Sequence, residues 1–204
     1  MIIWGFRVIF RTLSTGMFFC PKEEADRSYK LRSAQRFFTL FFIPLIPLKK
    51  LGTVVQCEGC NTQFEERVLT TPTTSQRADS LAETVRSGAV AILRTGGDSA
   101  TGREQAARLV TGYLPSYTDA QLADDVEELD VGEFRNGLQS VRSFLDEHGK
   151  EGLLTRFALV ALADKGSLTD IERSLLLEIG GDLGMTPTHS RGVVDSAIEQ
   201  VNKG

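Results

Sequence analysis

At 204 residues, with 23 Lys or Arg against 27 Asp or Glu and a formal net charge of −4, the chain has room for one large domain or two small ones. Three cysteines are too few, and odd in number, for a secreted disulfide framework, and no stretch reaches the roughly 18 apolar residues needed to span a bilayer; a reducing cytosol and no transmembrane segment are expected. Charge is uneven: residues 1–70 carry ten Lys or Arg against six Asp or Glu, the remainder thirteen against twenty-one, which argues for two domains, at 1–69 and 78–204, joined by a linker at 70–77.

The opening MIIWGFRVIFRTL is apolar enough to suggest a signal peptide. Arg7 and Arg11 interrupt any apolar region, however, and no small-residue cleavage site follows, so export is not expected. Alternation and β-branched or aromatic content predict strands at about Ile2–Phe10, Tyr29–Arg32, Phe37–Phe42 and Thr53–Cys57. In FFTLFFIPLIPL, Phe37 to Leu48, Pro44 and Pro47 forbid a continuous helix, since each removes a donor and clashes with the preceding turn. That segment should be extended, with IPLIP as an ordered bend.

A sheet this small buries little apolar area and often needs a metal or another staple. Cys20, in CPKE, and the pair Cys57 and Cys60, in CEGC, are placed to supply one. Two Cys-x-x-Cys turns would give the four soft ligands of a tetrahedral Zn²⁺ site; here the fourth position is Glu23. Gly59 and Asn61 suit a tight turn of positive φ, and Pro21 suits the start of the other turn. Two outcomes stand open. Glu23, or in its place Glu24 or Asp26, completes a site of three cysteines and a carboxylate, or the site is empty and the Phe-rich strands hold the unit alone. His148 and His189 both lie in the other domain. A catalytic zinc lacks an accompanying general acid, and a redox Cys57–Cys60 pair lacks the strand-to-helix context of a thioredoxin motif.

FFCPKEEADRSYKLR and RFFTLFFIPLIPLKKLGTVVQCEGCNTQFEERVL together resemble a small bacterial zinc-ribbon family with a Cys-Pro-x-Cys turn, a basic strand, an FTLFFIPLIP-like segment and a second Cys-x-x-Cys. The resemblance covers about Ile2 to Leu69 and implies zinc held by two cysteine pairs; this chain departs from it at Glu23. Lys22, Arg27, Lys30, Arg32, Arg36, Lys49 and Lys50, interleaved with Tyr29, Phe37 and Phe38, could form a nucleic-acid face. In a chain that is acidic overall, a solvated strand face is the plainer reading.

Residues 69–77, LTTPTTSQR, read as a stiffened linker. Beyond them, apolar residues recur at helical spacing in seven stripes. They begin at Leu81, Ala106, Leu122, Phe134, Leu153, Ile171 and Val194, and the stretch Leu153–Ala163, apolar almost all round, marks a central buried helix. Thr101–Glu104, Thr118–Gln121 and Thr169–Glu172 fit capping boxes. Asp130 suits the cap of the fourth helix and Thr186 with Pro187 the start of the seventh. Gly149, Gly166 and Gly184 should stop or separate helices.

The seven-helix count and FALVALADKGSLTDIERSLLLEIGGDLGM resemble the TerB-like helical family of tellurite-resistance proteins and of a DnaJ-type co-chaperone. The resemblance implies an all-α domain over about 88–202 and a proposed metal site built from an Asp-Gly step and a later acid in each half. In this chain Lys165 and Gly97 stand at the expected Asp positions, with Asp164 and Asp98 out of step. Metal binding through Asp98, Glu104, Asp164 and Glu172 therefore competes with a plain capping role for both glutamates. The acidic run Asp119, Asp124, Asp125, Glu127, Glu128, Asp130 and Glu133 is a cation surface, a dock for a basic partner, or a solvated helix face.

The expectation from sequence is thus a two-domain protein: a small β-rich zinc ribbon, with Cys20, Glu23, Cys57 and Cys60 as metal ligands, then an all-α seven-helix TerB-like domain. Its role would be non-enzymatic binding of an unidentified protein partner in the cytoplasm, linked to metal or stress response. A redox protein or enzyme at the cysteines, or a nucleic-acid binder, is the alternative.

Overall fold

The computed structural model describes residues 4–41, 43–96 and 99–203, and the chain divides at Gln76/Arg77 into two compact units. In the first, β1 (Trp4–Cys20), β2 (Ala25–Leu40), β3 (Ile43–Cys57) and the short β4 (Gln63–Phe64) form one antiparallel sheet in sequence order. The first three strands have 17, 16 and 15 residues, against a usual length of about 5–6.

Tyr29–Arg32 and Phe37–Phe42, read from sequence as separate strands, fall together in the single β2 as far as Leu40, with Phe41 in the turn that follows; Phe42, like Ile2, lies outside the described residues. The polar stretch between them hides the continuity. Strand β1 likewise runs past Phe10 to Cys20, because a register shift between Thr12 and Ser14 resets the in-out alternation that marks a strand. IPLIP is part of β3 and not a bend. Register shifts at Gln35/Phe37 and Phe38/Thr39 let the ladder accommodate Pro44 and Pro47.

Among the described residues, the core of the sheet lies at the end that carries the cysteines. Phe18, Cys20, Val55 and Cys57 are buried there, with Tyr29, Leu31, Cys60, Phe64, Val68 and Leu69 packed around them. Phe18 meets Tyr29 and Phe64 edge-on at centroid distances of 5.7 and 5.9 Å, the arrangement aromatic quadrupoles favour. A 3₁₀ turn at Glu66–Thr70 carries Val68 and Leu69 onto this cluster.

Seven α-helices follow among the described residues: α1 (Thr74–Gly96), α2 (Ala100–Thr111), α3 (Asp119–Glu128), α4 (Phe134–Arg142), α5 (Glu147–Leu162), α6 (Asp170–Asp182) and α7 (Pro187–Lys203). Helix α1 starts inside the segment read as linker. Thr73 and Gln76 form a reciprocal cap, Thr73 N–H donating to Gln76 Oε1 at 2.9 Å and Gln76 N–H to Thr73 Oγ1 at 3.2 Å, which satisfies free amides of the first turn. In the second unit, α5 buries Leu153, Leu154, Phe157, Ala158, Val160 and Leu162, as expected of the central helix. Gly88 of α1 faces it: a Cβ there would stand 2.5 Å from Phe157 and 2.8 Å from Phe134, so only glycine permits this approach.

The caps at Thr118–Gln121 and Thr169–Glu172 are complete capping boxes. Thr101–Glu104 is not. Helix α2 begins two residues earlier, where the Ser99 side chain accepts the Gly102 amide, and Glu104 pairs instead with Arg108. Asp130 caps a 3₁₀ turn, Val131–Glu133, that leads into α4. Gly149 does not end a helix: it lies in the first turn of α5, donating its amide to Asp146 at 2.7 Å. Gly166 and Gly184, at φ 63 and 84°, take the left-handed conformation that ends helices.

Candidate metal centre

The turns at one end of the sheet bring Cys20, Glu23, Cys57 and Cys60 together. One ligand atom from each lies within 4.8 Å of all the others, and this is the one such group of His, Cys, Asp or Glu among the described residues. Cys20 ends β1 and Glu23 stands in the turn to β2; Cys57 ends β3 and Cys60 follows in the turn to β4. All three cysteines are free thiols.

Two of the six separations equal the edges of a zinc tetrahedron, and the other four lie within 4.8 Å. Zn–S bonds of about 2.3 Å at tetrahedral angles place sulfurs about 3.8 Å apart, and a carboxylate oxygen at about 2.1 Å lies about 3.6 Å from each sulfur. Cys20 Sγ is 3.8 Å from Cys60 Sγ, and Cys57 Sγ is 3.6 Å from Glu23 Oε2. Glu23 is therefore the carboxylate that joins the cysteines. Asp26 is committed elsewhere, its two oxygens accepting the Thr74 amide at 3.0 Å as an N-terminal cap of α1, and Glu24 stands outside the group.

Local backbone chemistry fixes the cradle. Cys57 N–H donates to Thr62 O at 3.0 Å and Asn61 N–H to Cys57 O at 3.1 Å, closing the second turn with Asn61 at φ 57°, a conformation asparagine tolerates. Gly59 serves by size and not, as its spacing suggested, by positive φ. A Cβ there would stand 2.5 Å from Glu23 Oε2 and 3.2 Å from Arg27 Cδ. Arg27 Nε donates to Glu23 Oε2 at 3.0 Å, holding the carboxylate against the cysteines in the way second ligand shells orient the first. Sequence reading missed this part of Arg27, because an acid and a base four apart usually signify a helix face, whereas here a turn brings them together.

The thiols sit in different fields. Burial pushes Cys57 up to about 11, while the hydrogen bond from the Thr62 side chain holds Cys60 down to about 7. With Cys20 and Cys57 buried, a thiolate pair here calls for a cation beside it.

Other sequence candidates are dispersed. Asp98 and Gly97 lie outside the described residues. Glu172 is buried, its Oε2 accepting the Thr169 amide and hydroxyl, both at 2.7 Å, which is the capping role. Asp164 shares with it a cavity of only about 10 Å³. In the acidic run, Asp125 is internal and not part of a surface. Arg86 grips it with two 2.6 Å hydrogen bonds, and the Tyr117 hydroxyl donates to it. Several basic side chains of the sheet are engaged by neighbours: Lys22 with Thr62, Lys30 with Glu58 and Arg32 with Gln56. No helix of the described residues is long and apolar enough to cross a membrane.

Against known proteins, no family model, curated protein or solved structure matches the chain. A functional reading therefore starts from the cysteine site.

Proposed function

We propose that the first unit is a degenerate zinc ribbon in which Cys20, Cys57, Cys60 and Glu23 hold one structural Zn²⁺. The chain would act as a non-enzymatic binding protein, with the helical unit as a TerB-like module that presents the surface for a protein partner in a metal- or stress-response setting. The observation that carries the metal reading is the pair of separations, 3.8 Å between sulfurs and 3.6 Å from sulfur to oxygen, which are the edges of a ZnS₃O tetrahedron. When bound, zinc would supply cross-linking and charge balance for the buried thiolates. Four protein ligands leave no open position for a reacting water, which favours a structural over a catalytic role.

A redox role is the second reading. Cys60, held near the pH of the cell, stands beside Cys20; by exchange with a small-molecule disulfide, the Cys60 thiolate would displace one thiol and Cys20 would then displace the other, leaving a Cys20–Cys60 disulfide and two reduced small-molecule thiols. Metal analysis with thiol titration on the purified chain separates the two. The structural reading expects one zinc per chain and three thiols that react only after chelation. Metal-free protein with one rapidly alkylated thiol would replace it with redox chemistry.

A further inference from the structure

Twelve of the fourteen exposed large apolar side chains among the described residues lie between Trp4 and Leu51, on the sheet beyond its small core. All of these but Met17 belong to an arm, formed by β1 up to Leu13 with the paired parts of β2 and β3 and the turn residue Phe41 between them, that extends about 30 Å at about 3.3 Å per residue. Soluble surfaces rarely keep so many large apolar side chains exposed on one short segment without a partner. We propose that this arm docks on the headgroup region of a bilayer containing anionic lipid.

Two further features select that occupant. Segments 4–19 and 33–56 carry Arg7, Arg11, Arg36, Lys49 and Lys50 and no Asp or Glu, so the apolar arm is also wholly cationic. On one face of β1, Trp4 and Phe6 pair with Leu40 and Phe38, and the Arg36 guanidinium lies 4.4 Å from the Phe6 ring centroid. An aromatic stripe edged by long cations is the composition that settles at the interface, with rings at headgroup depth and charges reaching the phosphates. Strand β3 adds Ile43, Leu45, Ile46, Leu48 and Leu51, all exposed.

The same residues disfavour other occupants. Two like-charged arms repel each other, and Pro44 and Pro47, which lack N–H donors, blunt strand addition along β3 by a second copy. Trp4 and Phe6 offer π-faces to bases, but the aliphatic side chains of β3 offer none, so a nucleic-acid strand would leave the exposed apolar surface of β3 uncovered.

Trp4 is the sole tryptophan and reports on the arm in the unmodified full chain. Added to vesicles of equal parts phosphatidylcholine and phosphatidylglycerol, the protein should float with the lipid and its emission should shift to the blue, with affinity at least about tenfold above that for phosphatidylcholine alone. Ile46→Ser with Leu48→Ser, and separately Lys49→Gln with Lys50→Gln, should each lower partitioning roughly tenfold while the far-ultraviolet circular dichroism is unchanged. The proposal is overturned if Trp4 emission ignores both vesicle types. It is equally overturned by a lipid-independent blue shift that grows with protein concentration, which would make a second copy the occupant, or by a single-stranded oligonucleotide that displaces the vesicles.

Discussion

Among the described residues, the buried cluster of the helical unit has twenty-four apolar side chains, whereas that of the sheet unit has four, two of them cysteines. The two halves are thus held by different physics. Full burial of a residue such as Phe18 or Val55 contributes about 1.5–3 kcal/mol, too little to order three strands of this length against chain entropy. A structural zinc contributes about 10–16 kcal/mol in small metal-folded domains. On the zinc proposal, sulfur chemistry would dominate one unit and hydrocarbon packing the other, and perturbations should sort accordingly.

The largest expected effect is selective. Chelation, or Cys57→Ser, should remove on the order of 10 kcal/mol from the sheet unit and leave the helical signal in place, measured by hydrogen exchange resolved along the chain. Loss of protection in both units together would merge what the comparison separates. The converse lesion is Phe157→Ala, which empties a fully buried site beneath Gly88 and Phe134. It should cost the helical unit about 3–5 kcal/mol in a denaturant titration, with metal content unchanged.

Smaller effects sharpen the helical side. Arg86→Met leaves Asp125 buried without its cation and should cost about 2–3 kcal/mol, less than the roughly 3–5 of a wholly buried pair because Arg86 is partly exposed. Arg86 holds the Asp125 carboxyl below the usual carboxylate range, with help from Tyr117. A depressed folded-state pKa means that this stabilisation is complete above about pH 4 and is lost as pH falls through the lower folded value. Melting followed against pH should show that loss, and Asp125→Asn should flatten it. Thr169→Ala, which removes one half of a capping box, should cost about 1 kcal/mol.

The helical half was the more legible in sequence, for a physical reason. A 3.6-residue period repeats enough times within a helix to survive an error of one or two residues, and Thr118 and Thr169 announce their helices chemically. Thr101 misled because Ser99, which caps against Gly102, lacks the acid three residues on that advertises a box. The sheet was harder because bulges reset the alternation, at Thr12/Ser14 and again opposite Gln35, so that long strands resemble fragments separated by loops. Spacing pointed to Cys20, Cys57 and Cys60 and left the carboxylate open among Glu23, Glu24 and Asp26. It could not reveal that Asp26 is taken by the Thr74 amide, or that Gly59 makes room for Glu23 and Arg27, because both depend on atoms brought together from distant segments.

X-ray absorption at the zinc edge of the purified chain tests the sulfur clamp most directly. Three sulfurs at about 2.3 Å and one oxygen at about 2.0–2.2 Å are predicted, with the oxygen signal altered in Glu23→Gln. A protein that neither carries nor takes up zinc, or a bound zinc with two sulfurs or fewer, would contradict the account.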